Sequence, residues 1–138
     1  MEGAYTYRIL RYVHDIGTAE FINVGVVVAL SDAPCVAARF TNDCRRVKGA
    51  FPSLDAEVFL ARMKRLQAAF DAMDAARCSE VRARGGTCIE ALIRSVLPLE
   101  DSALHWSPTA SRFGGAIALV LESVYERVVT RRDVQGRR

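Results

Sequence analysis

The chain has 138 residues, 51% of them hydrophobic and 25% charged, with a formal net charge of +3. That is the composition of one globular domain, long enough to bury roughly two-thirds of the surface its unfolded chain exposes. It has no run of roughly eighteen apolar residues, which excludes a membrane-spanning helix. Five arginines (Arg127, Arg131, Arg132, Arg137 and Arg138) stand against Asp133 near the C-terminus, so the body before Arg127 is close to neutral and is not a basic nucleic-acid surface.

The opening Met-Glu-Gly-Ala-Tyr lacks the basic and apolar stretches of a signal peptide, so a cytoplasmic location is expected. Ala4 to Val13 alternates, with Tyr5, Tyr7, Ile9 and Arg11 on one face and Thr6, Arg8, Leu10 and Tyr12 on the other. Aromatic and β-branched residues at period two predict a strand. A short polar connection with His14, Asp15, Glu20 and Asn23 leads to Val24–Leu30, apolar almost throughout and therefore a central strand covered on both faces. Ser31-Asp32-Ala33-Pro34 is a turn. The strand from Cys35 to Thr41 buries Val36, Ala38 and Phe40 and pairs antiparallel with its predecessor.

Asn42 or Asp43 caps a short helix that Pro52 ends. Leu54 to Arg77 is the long helix: Phe59, Met63, Leu66, Phe70 and Met73 form a regular seam, and Asp55 and Glu57 suit its positive end. The seam reads as core, with a homodimer the other use of such a pattern. Val81 to Arg84 is a short strand closed by Gly85-Gly86. Thr87 and Glu90 form a capping box for a helix with Ile89, Leu92, Ile93 and Val96 on its apolar face. Ala103 to Ser107 returns as an edge strand. Gly114-Gly115 precedes a last helix with Ile117, Leu121, Val124 and Val128 inward and Glu122, Glu126 and Arg127 in water.

Strands come first and helices later, which predicts an α+β fold: a mainly antiparallel sheet with three helices packed on one side of it. Residues 1–130 form a single domain and 131–138 a basic, frayed tail.

Chemistry is sparse. Cys35, Cys44, Cys78 and Cys88 contain no Cys-x-x-Cys pair, and His14 and His105 are isolated, so no metal or other cofactor is expected. With two lysines and no Gly-x-x-x-x-Gly-Lys-Ser/Thr there is no phosphate-binding loop; Gly85-Gly86 and Gly114-Gly115 read as bends. No serine or cysteine has a motif that sets it beside His14 as a nucleophile. Asp15 and Glu20 can meet across the connection, with Asn23, but their spacing matches no metal loop. Tyr5 and Tyr7 with Arg8, and Arg131 and Arg132 in the tail, are the nucleic-acid candidates, since rings interleaved with arginine suit single strands. Tyr12 lies on the opposite face, which splits that platform.

Tyr7-Arg8-Ile9-Leu10-Arg11-Tyr12-Val13 followed by Glu20-Phe21-Ile22-Asn23-Val24-Gly25-Val26-Val27 resembles an uncharacterised bacterial group, domain-of-unknown-function family 3037. Leu104, Ser107, Gly114 or Gly115 and the Leu121–Val129 helix are similar to its C-terminal part. His14-Asp15 departs from the proline-aspartate usual there, which removes His14 from the shortlist. The resemblance implies a small accessory protein often encoded beside HipA-like kinases, and carries no established activity. The signature residues are Arg11, Tyr12, Asp15, Glu20, Asn23 and Gly25. They have two readings: strand register, with Gly25 as a bulge or close approach, or a binding or catalytic site. The expected function is therefore a non-enzymatic interaction protein with a protein partner. Its rivals are a nucleic-acid-binding protein and an enzyme with a polar site at the first strand connection.

Overall fold

The computed structural model describes residues 4–15, 20–30, 36–73, 104–108, 110–113 and 115–130. The alternating N-terminal run forms strand β1 (Ala4–Asp15), longer than expected by His14 and Asp15, which belong to the strand and not to the connection. β1 pairs antiparallel with β2 (Glu20–Leu30), and β2 pairs antiparallel with β3 (Val36–Phe40). The other edge of β1 carries two short strands in succession. β4 (Leu104–Trp106) lies along Leu10–Tyr12, and β5 (Ala110–Phe113), which periodicity did not reveal, lies along Ala4–Tyr7. The sheet order is β3-β2-β1-β4, with β5 also beside β1.

Pro108 interrupts this edge because it has no N–H to give to a ladder. Ser107 repairs the break from both of its ends. Its backbone N–H donates to the Ile9 carbonyl at 2.8 Å, and its buried hydroxyl oxygen accepts from the Ile9 N–H at 2.8 Å. β3, the opposite edge strand, would expose its free backbone groups to chance pairing. Gln67 occupies them: its Oε1 accepts from the Phe40 N–H at 2.9 Å, and its Nε2 donates to the Ala38 carbonyl at 2.8 Å.

Gln67 sits on helix α2 (Ala56–Asp71), which follows the short helix α1 (Arg45–Ala50). Asp55 caps α2, its carboxylate accepting from the Glu57 and Val58 N–H groups. At α1 the capping residue is Cys44, whose side chain makes no cap; Asp43 instead accepts from the Arg45 N–H at 2.9 Å. The α2 seam of Phe59, Met63, Leu66 and Phe70 is buried in the core formed with Leu10, Val24, Val27 and Phe40, with Met73 packed at its margin. The helical period of the seam therefore serves the core.

The last helix, α3 (Ile117–Tyr125), runs on as a π-helical turn, Glu126–Thr130. Gly115 precedes it with φ of 76°, a left-handed conformation that glycine adopts without strain, and its carbonyl accepts from the Tyr5 hydroxyl at 2.7 Å. α3 does not join α2. It lies on the opposite face of the sheet, where Val120, Leu121, Val124 and Tyr125 pack on Tyr5, Val26 and Val28. The expectation of helices on one side is thus corrected, and β2 shows why. Its residues Val26 and Val28 face α3 while Val27 and Ala29 face α2, all fully buried, so both faces needed a cover. The described residues form an α+β fold with an antiparallel sheet and three helices, none of them long and apolar enough to cross a membrane. The strand at Val81–Arg84, the helix after Thr87 and the tail from Arg131 lie outside the described residues.

Candidate functional site

The signature residues lie where β1 and β2 change register. Leu10 pairs with Gly25 but Arg11 pairs with Asn23, leaving Val24 as the extra residue of a bulge. Gly25 is required there by a close approach. A Cβ on it would lie 2.3 Å from Cδ1 and 2.9 Å from Cε1 of Phe40, whose buried ring makes a tilted contact with Phe70. Its place in the signature has this structural cause.

A second shift falls between Val13 and Asp15, and the Asp15 backbone pairs with that of Glu20. Glu20 is exposed to solvent and makes no ion pair among the described residues. A water-exposed carboxylate is a poor general acid or base, because an active site depends on burial and neighbours to tune one.

Strand alternation sends the neighbouring side chains Arg11 and Tyr12 of β1 to opposite faces. Tyr12 turns to the α2 side, with its ring centre 5.8 Å from Phe51 and 5.9 Å from Phe59 in an edge contact. There it lines a pocket of about 220 Å³ with Leu54, Phe59, Met63 and Leu104. Arg11 turns to the α3 side, where its guanidinium stacks over Phe21 at 4.4 Å from the ring centre. Phe21 is 45% exposed, unusual for a phenylalanine of a strand whose centre is dry.

Arg11 stands in a cross-strand row. Asn23 is its partner on β2, and His105 its partner on β4. Leu104 and Trp106 face the α2 core, so His105 between them faces the other way, with Arg11. The Asn23 Nδ2 donates to the Val128 carbonyl at 3.1 Å, answering a backbone oxygen that the π-helical turn leaves open. Beyond that bond the row is unfinished. Arg11 Nε, Asn23 Oδ1 and His105 Nε2 are closed to solvent and have no hydrogen-bond partner among the described residues. Each such atom costs about 1–3 kcal/mol. Three on adjacent strands argue against a purely structural role.

The nucleic-acid candidates fare differently. Tyr5 is only 5% exposed and lies under α3, so its ring has no face free for a base. Tyr7 packs at the edge of the same cluster, and its hydroxyl accepts from Arg127 at 3.1 Å. Arg8 is half-buried, and Arg131 and Arg132 lie outside the described residues. Among the described residues, helices pack on both faces of the sheet.

Two members of the row were missed in the sequence. Phe21 reads as one more strand apolar residue, and His105 is more than ninety positions from Arg11 in the chain. The β1–β2 pairing brings Phe21 to Arg11, and the β1–β4 pairing brings His105.

A family model described as a protein of unknown function, DUF3037, matches residues 7–129, nearly the whole chain. The chain belongs to that family. No curated protein and no solved structure matches it.

Proposed function

We propose that this DUF3037 member is a cytoplasmic, non-enzymatic accessory protein that docks a partner protein on the end of its sheet around Phe21 and Arg11. The observation that carries the reading is the stacked Arg11–Phe21 pair. An exposed aromatic ring supports a cation that has no carboxylate partner among the described residues. Aromatic and arginine anchors of this kind dominate protein–protein binding energies. The exposed Glu20 weighs against catalysis at the same place.

The partner to try first is the HipA-like kinase that the family resemblance suggests. The test is co-purification of tagged wild-type and Phe21→Ala proteins with that kinase. Retention by wild type and loss by the variant support the docking surface; equal retention, or none by either, overturns it. Association that is carried by nucleic acid and disappears after nuclease treatment also overturns it.

A further inference from the structure

We propose that the Arg11–Asn23–His105 row is a recognition site for the C-terminal carboxylate of an extended peptide. The proposal deepens the docking reading of the Phe21 end and rests on it.

The chemistry follows from the atoms left without partners. Arg11 offers a planar fork of donors, held flat by the Phe21 ring, and no carboxylate of the described residues occupies it. Such a fork matches the two oxygens of a carboxylate. Asn23 supplies the opposite function. Its Nδ2 is fixed on the Val128 carbonyl, so its Oδ1 is left as a free acceptor beside Arg11. A simple anion gains nothing from that oxygen. A peptide terminus does, since its last N–H lies beside its carboxylate and gives Asn23 a donor while Arg11 takes the charge. His105 Nε2, on the far side of Arg11, completes the set of hydrogen-bonding groups.

A second arginine shows what a satisfied version looks like. Arg39 stacks over Tyr125 at 4.3 Å from the ring centre and is paired with the Glu122 carboxylate. Arg11 has the same stack without the carboxylate, which the peptide terminus supplies. Because the three orphan atoms are closed to solvent, binding needs a side chain to move. The half-exposed Phe21 ring lies over the Arg11 guanidinium, one edge of the row.

The test uses small probes and the intact chain. N-acetylglycine carries a carboxylate and an adjacent N–H, acetate carries only the carboxylate, and N-acetylglycinamide lacks the charge. Each is titrated into ¹⁵N-labelled protein while the Arg11 Nε–H, the Asn23 side-chain amide and the His105 ring are followed by NMR. Shifts centred on these groups, with N-acetylglycine binding about tenfold or more tighter than the amide and more tightly than acetate, support the proposal. Equal binding of acetate removes the contact to Asn23 and with it the peptide terminus. Equal binding of the amide removes the charge recognition, and shifts that centre elsewhere remove the site. Arg11→Met is expected to abolish the response, while Glu122→Gln, outside the row, leaves it unchanged. Failure of the probes with Phe21-dependent capture of a partner intact overturns the carboxylate alone. Loss of capture with the probes still bound overturns the docking surface alone.

Discussion

Arg39 on β3 and Arg11 on β1 are both stacked on aromatic rings, at 4.3 and 4.4 Å, yet their surroundings differ. α3 lies over β2 and β3, and from there its Glu122 reaches Arg39 and closes the charge. Arg11 is one strand further on, beside the π-helical turn, where Asn23 and His105 leave polar atoms unanswered. The first arginine is part of how the fold covers its sheet. The second costs the fold something and gives it no visible return, a pattern that natural proteins keep where function requires it.

The comparison depends on the register that places both arginines, so the largest disturbance should come from the bulge. Gly25→Ala forces a Cβ into the Phe40 ring and to 3.2 Å from the Arg39 carbonyl. Overpacking of this kind should cost about 3 kcal/mol. It should lower the denaturation midpoint and disturb both stacks together, as read from the Arg Nε–H signals. A midpoint within error of wild type would mean that Phe40 yields easily.

Ser107→Ala separates the two regions. It strips the Ile9 N–H of its acceptor and loosens β4, which carries His105, while β3 and Arg39 are untouched. A loss of about 2 kcal/mol is expected from the unpaired donor, with faster amide exchange at Leu10–Tyr12 and none added at Val36–Phe40. Uniform acceleration across the sheet would show that the two edges are not independent.

How much of this was legible in the sequence depends on how far apart the partners lie. β1, β2 and β3 were readable because alternation and short connections set their pairing, and the α2 seam because four apolar residues recur at helical spacing. A glycine inside a strand reads as a bulge or a close approach; Gly25 borders the bulge at Val24 and is itself the close approach. The side of the sheet taken by α3 was not readable, since an amphipathic helix shows only that it has an apolar face and not which surface it covers. The Arg11 row was half readable. Asn23 and Arg11 stood in the signature, but their neighbours Phe21 and His105 acquire meaning only from the register. Asp15 and Glu20 are polar and close in sequence, and their backbones pair at the sheet's end, where Glu20 is exposed.

Glu122→Gln makes Arg39 resemble Arg11. The pair is exposed on both sides, so a loss of about 0.5 kcal/mol is expected. The loss should shrink in high salt, because screening weakens the wild-type pair. A salt-independent loss would mean that the variant disturbs packing under α3 instead.

The most direct test of the central claim is the stability of Arg11→Met measured beside its partner and probe binding. Methionine keeps the stem of the side chain and removes the orphaned Nε. Stability is expected to be unchanged or raised by up to about 1 kcal/mol, with N-acetylglycine binding and partner capture lost. A variant destabilised by more than about 1 kcal/mol that still binds both would contradict it, and would make Arg11 a structural residue like Arg39.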